Sequence, residues 1–542
     1  MLAKVKSGAL MGVDAVTVDV EVDMTLGLPF FAVVGLPEGA VKESKVRVMS
    51  ALKHCEFVLP HKRITVNLAP ADIRKEGAAF ELPIALGVLV AADQLKPEPL
   101  AKYLFGGELS LDGQLRPIRG VLPLALAARA GGFKGVVVPP ENAPEAALVE
   151  GIEVIPVGHL RAAVKHLTGE EPLKPFDRLS LATPASSDSG LDLKDVRGQD
   201  EIKDALELAA AGSHNMIMSG PPGSGKTMLA RRLPSILPPM TMDEALEVTK
   251  IYSVLGLLRD GQSLIKDRPF RAPHHTISDA GLVGGGPLAR PGELSLAHRG
   301  VLFLDELPEF KKQVLEVLRQ PLEEGVVRLA RAAQKVTYQC GVMLIAAMNP
   351  CPCGYWNTEL RDCRCGENRV VDYHARVSGP LLDRIDITLE TRQVDSKHFA
   401  SEHDGKPSSW YRDRVLAARA RQTERFKSEP EVLCNAQMTP ALLYRHCRIS
   451  AAAQKNLVAA IDKHGLSARA HDRILKLART RADLEGAGDI RDEDVAFAIE
   501  CRRLDRRDYM VAAAHRKTRA TTYNDKNLEH LVGRHGSKAG RP

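Results

Sequence analysis

The chain has 542 residues, 44% of them hydrophobic and 26% charged, with a formal net charge of +6 at pH 7. This size and balance suit two or three folded domains, and no stretch approaches the roughly 18 uninterrupted apolar residues of a membrane helix. The charge is too small for this length to name a partner, and the opening MLAKVKSGALMGVDAVTVDV lacks a signal peptide's apolar run, so a cytoplasmic protein with no membrane association is expected. Nine cysteines in such a chain argue against a disulfide framework, yet four of them fall between Cys351 and Cys365.

From residue 1 to 169 strand-like runs such as Val16 to Val22 and Ile64 to Leu68 alternate with helical stretches such as Leu122 to Ala130, the pattern of an α/β domain. Residues 170–190 are rich in Pro, Ser and Asp and are expected to be an exposed linker. A second α/β region spans 191–394, and a connector is expected over 395–430. Helical spacing recurs at Arg412 to Phe426, Thr439 to His446, Ala451 to His464, Ala468 to Glu485 and Arg491 to Arg502, so a small helical domain is expected over 431–508. The tail 509–542 carries Arg516, Lys517, Arg519, Lys526, Arg534, Lys538 and Arg541 and is expected to be disordered and able to touch phosphate nonspecifically.

The second region holds the chemistry. The apolar run Asn215 to Ser219 leads into Gly220, Pro221, Pro222, Gly223, Ser224, Gly225, Lys226 and Thr227 and then into the helical MLARRL. Strand, glycine loop and helix in that order predict a P-loop: backbone N–H groups curl around phosphates, Lys226 reaches the β and γ oxygens of ATP, and Thr227 ligates Mg²⁺. Downstream, the buried strand Val301 to Leu304 ends in Asp305 and Glu306. Asp305 is expected to hold Mg²⁺ through its water shell, and Glu306 to polarise the hydrolytic water. A third strand, Val342 to Met348, ends in Asn349, whose amide can lie between the γ-phosphate and that water or can simply form a strand-end turn. In the run Ser378 to Asp386, Arg384 lies between apolar positions. It suits a guanidinium supplied to a neighbour's γ-phosphate, with a surface salt bridge to Asp383 or Asp386 as the plainer reading.

These motifs, with the runs Phe270 to Thr276, Pro291 to His298, Asn349 to Gly354 and Ser467 to Arg469, resemble the Mg-chelatase-like AAA+ family over roughly residues 1–506. The resemblance implies an α/β multidomain protein with an N-terminal Lon-protease-like domain, an AAA+ core and a C-terminal helical lid. It implies that Arg384 acts as a finger in trans and that Arg469 is a lid arginine sensing the γ-phosphate. It also implies a hairpin over Val326 to Tyr338 lining the pore of a homo-hexamer, where Arg328, Arg331 and Lys335 would follow a DNA phosphate backbone. At the positions matching the Lon nucleophile and its base stand Ala79 and Leu122, so no Ser-Lys peptidase activity is expected.

Cys351, Cys353, Cys363 and Cys365 form two close thiolate pairs able to wrap a tetrahedral structural Zn²⁺; free thiols and a redox pair are the alternatives. His274 and His275 are expected to be loop residues, because adjacent side chains diverge on most backbones. The resemblance implies an ATP-driven motor that moves branched or single-stranded DNA, without base reading, in recombination or natural transformation. A Mg-chelatase ATPase subunit and a protein-remodelling ATPase share the same core and are the rival readings.

Overall fold

The computed structural model describes residues 2–59, 61–178, 190–259, 261–286, 289–331, 334–358, 361–392, 405–464 and 467–502. Most of the expected linker, the first part of the expected connector and the whole basic tail lie outside these residues.

The N-terminal part opens with long strands Leu2–Met11 and Asp14–Thr25 that alternate buried and exposed positions, the period of a sheet covered on one face. With Arg63–Ala69 and Phe30–Val34 they form a four-stranded sheet in the order Leu2–Met11, Asp14–Thr25, Arg63–Ala69, Phe30–Val34. The helix Glu81–Ala91 lies buried across it, apolar on all sides, with Gly87 against Val22 and Val5. Its one acid, Glu81, is compensated by Arg47 and by the Leu109 N–H at 2.8 Å. A parallel sheet of Tyr103–Phe105, Gly135–Val138 and Glu153–Pro156 continues the layer, packed by the helix Val121–Ala130.

The second region is built on a five-stranded parallel sheet in the order Phe270–Arg271, Val301–Leu304, Met343–Met348, Met216–Ser219, Ile387–Glu390. The strand carrying the glycine loop therefore sits between the last two strands in sequence. Val301–Leu304 and Met343–Met348 are buried along their whole length, which explains their continuous apolar sequence. Ligands in such sheets bind beyond the carboxyl ends of the strands, where the glycine loop, Asp305 and Asn349 all emerge.

The C-terminal helices Ser408–Arg425, Pro440–His446, Ala451–His464, Ala468–Leu484 and Asp492–Glu500 match the helical spacing to within a few residues at each end. The largest offset is at Ser408, where the Asp192 carboxylate accepts the Ser408 N–H at 2.7 Å and starts the helix early.

A buried polar network ties Ala468–Leu484 to the central sheet. Asp386 accepts from Arg473 and, at 2.9 Å, from the Asn215 N–H, while His214 Nε2 meets Thr480 Oγ1 at 2.8 Å. Burial would raise the Asp386 pKa, but Arg473 first and then His214 and the Asn215 amide hold it well below the carboxylate range. Arg473→Met strands that charge in the core, so we expect a loss of about 3 kcal/mol in urea unfolding, with part of it recovered in the double variant Asp386→Asn/Arg473→Met.

The two regions touch through specific groups. The carboxylate of buried Glu145 accepts from the Leu122 N–H at 2.8 Å and from the Ser253 hydroxyl, and the Gly120 N–H donates to the Ser253 carbonyl at 3.1 Å. Lys250 pairs with Asp14 at 2.6 Å.

Candidate functional site

The loop after Met216–Ser219 turns sharply because Gly223 and Gly225 take φ of 79° and 85°, a region that residues with a Cβ rarely adopt. The helix Lys226–Arg232 starts at once from that turn. Lys226 is buried. Its ammonium donates to the carbonyls of Gly220 at 2.7 Å and Pro221 at 2.9 Å and lies 3.4 Å from Asn349 Oδ1. Burial lowers its pKa to about 8, with nearby Asp305 opposing the shift. A triphosphate would offset that desolvation, so the residue fits the ligand expected for it.

The Thr227 hydroxyl donates to Asp305 Oδ2 at 2.7 Å. Two oxygen donors 78 residues apart thus meet where a small hard cation prefers hydroxyl and carboxylate ligands. Glu306 follows in a left-handed backbone conformation, φ 52°, and its N–H donates to Asp305 Oδ1 at 2.9 Å. That geometry is strained for a non-glycine residue and turns the two adjacent carboxylates in different directions. The structure therefore brings Lys226, Thr227, Asp305 and Asn349 together, with Glu306 beside them.

Three residues at this site were not assigned to it from sequence. Gln199 donates from Nε2 to the Ser224 carbonyl at 3.2 Å and to the Arg392 carbonyl, bracing the glycine loop from outside, with no motif to mark it. His274 and His275, expected to diverge, instead have ring centroids 4.1 Å apart at 33°, and His275 Nδ1 lies 3.3 Å from Glu306 Oε2. The tight turn that closes with Ile277 N–H donating to the His274 carbonyl at 3.0 Å holds the two rings on one side. Among the described residues the histidines belong to no metal-type cluster.

Arg384 and Arg469 stand elsewhere. Both line a cavity of about 670 Å³ between the sheet and the C-terminal helices, together with Arg268, Arg299, Arg473 and Lys476, and none of the residues from Gly220 to Thr227 lines it. Among the described residues Arg384 is paired with Glu323 and donates to the Pro380 carbonyl at 2.8 Å, while Asp386 is held by Arg473. Its buried Nε has no hydrogen-bond partner among the described residues.

The expected hairpin is present as Val326–Arg331 and Gln334–Gln339. Val327, Val336 and Tyr338 face inward, and Tyr338 donates to the Ala289 carbonyl at 2.8 Å. Arg328 and Lys335 are exposed on the opposite face, Arg328 bound to Glu324 at the hairpin's base. Arg331 lies at the turn, paired in register with Gln334.

The four clustered cysteines converge. Their Sγ atoms lie within 4.8 Å of one another, with Cys351 to Cys353 at 3.3 Å, Cys351 to Cys363 at 3.6 Å and Cys353 to Cys363 at 3.5 Å. Thiolates around a tetrahedral Zn²⁺ at about 2.3 Å are roughly 3.8 Å apart, so the donor set fits a closed structural site with small adjustments. This knot begins two residues after Asn349, and a Cβ on Gly354 would fall 2.5 Å from Pro222 Cδ, so the knot backs directly onto the glycine loop.

Leu122, expected at the place of a Lon-type base, is fully buried in an apolar cluster, and the Ala79 carbonyl accepts the Gly107 N–H at 3.0 Å.

A glycine loop on one strand of a parallel sheet, facing an Asp-Glu pair on the strand two places away, defines a P-loop nucleotide-binding core of the AAA+ class. Comparison with known families agrees along the chain. "Magnesium chelatase, subunit ChlI" matches residues 192–399, "Subunit ChlI of Mg-chelatase" residues 20–142, and "Magnesium chelatase, subunit ChlI C-terminal" residues 405–502. Among whole proteins, the chain is 43% identical over 506 residues to competence protein ComM of Haemophilus influenzae, covering 93% of this chain and 98% of that one. It is 40% identical over 512 residues to the uncharacterized protein YifB of Escherichia coli, with the same coverage of 93% and 98%. An uncharacterized Mycobacterium tuberculosis protein is 44% identical over 503 residues, 92% of this chain and 98% of its own. The chain belongs to the Mg-chelatase-like AAA+ family that includes ComM and YifB. No helix among the described residues is long and apolar enough to cross a membrane.

Proposed function

We propose that this protein is a cytoplasmic, Mg²⁺-dependent ATPase that works as a homo-hexameric motor on DNA in recombination or natural transformation. In this reading Lys226, Thr227 and Asp305 bind Mg·ATP, Glu306 polarises the water, and Asn349 holds the γ-phosphate. The observation that carries it is the separation of Arg384 and Arg469 from the chain's own glycine loop. An arginine useful to phosphoryl transfer but placed in another cavity serves a neighbour's ATP, which makes assembly part of catalysis. The helices from Pro440 to Glu500 form the lid, with Arg469 as the lid arginine that senses the γ-phosphate and Arg384 as the finger acting in trans.

The exposed cations Arg328 and Lys335, with Arg331 at the turn, supply the phosphate-tracking surface, and the name of the Haemophilus influenzae relative supports DNA as the substrate. In this reading the N-terminal region is a Lon-like domain that lacks the dyad at Ala79 and Leu122 and serves assembly or nucleic-acid contact.

ATP turnover by the purified protein with single-stranded, duplex and four-way-branched DNA tests the reading. We expect several-fold stimulation, largest on branched DNA; a rate indifferent to every DNA moves the assignment to a chelatase-type or protein-remodelling ATPase.

The cysteine knot holds structural Zn²⁺ in this reading. Protein purified without chelator should carry about one zinc per chain, and less than about half an equivalent removes the metal from the account. Because the knot backs onto Pro222 and begins two residues after Asn349, stripping the metal should weaken binding of a fluorescent ATP analogue as well as lower thermal stability.

A further inference from the structure

We propose that His275 is the positioning residue for Glu306: its Nδ1, within ion-pair distance of one carboxylate oxygen, holds that oxygen and leaves the other free to take the proton of the attacking water. The inference rests on the ATPase reading and deepens it by naming what aims the glutamate.

Glu306 needs such a device. Its backbone is held in the left-handed region by the Asp305 contact and by the Glu309 N–H, which donates to the Glu306 carbonyl at 2.7 Å. Its side chain, however, is 52% exposed, and His275 Nδ1, at 3.3 Å, is its one side-chain partner among the described residues. A free glutamate side chain spreads over several rotamers, and confining it costs rotamer freedom. A partner that holds one oxygen bears that cost before ATP arrives.

His275 is itself fixed. Its ring lies against His274, whose Nδ1 meets Thr276 Oγ1 at 2.9 Å, and edge-on to buried Phe310, with ring centroids 6.4 Å apart at 77°. Phe310 belongs to the core cluster around Val301–Leu304's neighbours Leu307, Val314 and Leu315, so the imidazole is referenced to the same body that carries Asp305.

In the reaction, the water oxygen bonds to the γ-phosphorus as the bond from that phosphorus to the β–γ bridging oxygen breaks. The proton passes to the Glu306 oxygen not held by His275, and ADP departs with the bridging oxygen. The imidazole keeps its own proton throughout.

The same loop leads directly into the helix Asp279–Val283 and the short hairpin Gly284–Gly285 with Arg290–Pro291. That insertion is bonded to the cation-bearing hairpin through Ala289 and Tyr338. The hairpin and the loop that carries His275 are thus joined by one hydrogen bond and a short run of chain.

The test compares His275→Ala, His275→Asn and His275→Gln in the full-length protein. The Asn amide N–H occupies nearly the place of Nδ1–H, whereas the longer Gln overshoots it. We expect His275→Ala to lower kcat about tenfold with KM for ATP within twofold of wild type, and His275→Asn to recover most of the rate while His275→Gln does not. An Ala variant as fast as wild type, beside an inactive Glu306→Gln control, overturns the inference and leaves the ATPase reading intact. An Asn variant no faster than Gln overturns it too, even if the Ala variant folds poorly. A wild-type protein that hydrolyses no ATP overturns both readings together.

Discussion

Replacing Glu306 with Gln is expected to lower ATP turnover by a factor on the order of 10² to 10³ while leaving ATP bound as tightly as in the wild type. The substitution keeps the size of the side chain and its ability to accept a hydrogen bond, but an amide oxygen is a far weaker proton acceptor than a carboxylate. In the proposed reading Lys226, Thr227 and Asp305 hold Mg·ATP, and binding survives because the contacts of Lys226 with the Gly220 and Pro221 carbonyls and of Thr227 with Asp305 do not involve the Glu306 side chain. Equilibrium binding of a fluorescent ATP analogue and steady-state hydrolysis, measured on the same preparation, separate the two effects. Turnover within a few-fold of wild type would remove Glu306 from its role and, with it, the reason given for His275.

The parts of this site that were legible in the sequence are those whose information is local. Gly220 to Thr227 declares itself because strand, turn and helix follow one another, and the run Val301 to Leu304 announces a buried strand because every residue is apolar. The hairpin and the C-terminal helices were readable for the same reason, since period two and period 3.6 are written over short windows. The meeting of Thr227 with Asp305 was inferred from the order of motifs, and the structure supplies the hydrogen bond.

What sequence could not carry is contact between segments far apart in the chain. His275 and Glu306 sit on loops after neighbouring strands of the sheet, and nothing in either loop encodes that the other is beside it. Adjacent histidines are expected to diverge, and only the turn at Ile277 reverses that expectation. Gln199 is a single polar residue before a helix, with no spacing to distinguish it from a surface glutamine. The placement of Arg469 is a matter of domain packing: the helix Ala468–Leu484 is legible, but its docking through Arg473 onto Asp386 fixes which cavity Arg469 enters. The cysteine spacing suggested a metal, and the contact of Gly354 with Pro222 shows what that metal would steady.

Arg384→Ala is expected to be as damaging as any single change outside the glycine loop, lowering turnover by about 10³ if its guanidinium meets the transition-state charge of a neighbour's ATP. Within its own chain the arginine has no such target. It rests against Glu323 and the Pro380 carbonyl, with a buried Nε that has no hydrogen-bond partner among the described residues, in a cavity that the glycine loop does not line. Lysine at this position should rescue poorly, because a point charge cannot reproduce the planar fork. The decisive experiment mixes Arg384→Ala with Lys226→Ala, each inactive alone. A Lys226→Ala subunit still carries an intact finger, and an Arg384→Ala subunit still binds ATP, so up to about a quarter of the interfaces in a randomly mixed ring regain both halves. Recovery of activity on mixing means that the two halves act across an interface. Its absence, in preparations shown by light scattering to exchange subunits, would mean that Arg384 acts only by holding Glu323 and the helix it caps, and the cavity would then be a packing seam between the sheet and the C-terminal helices.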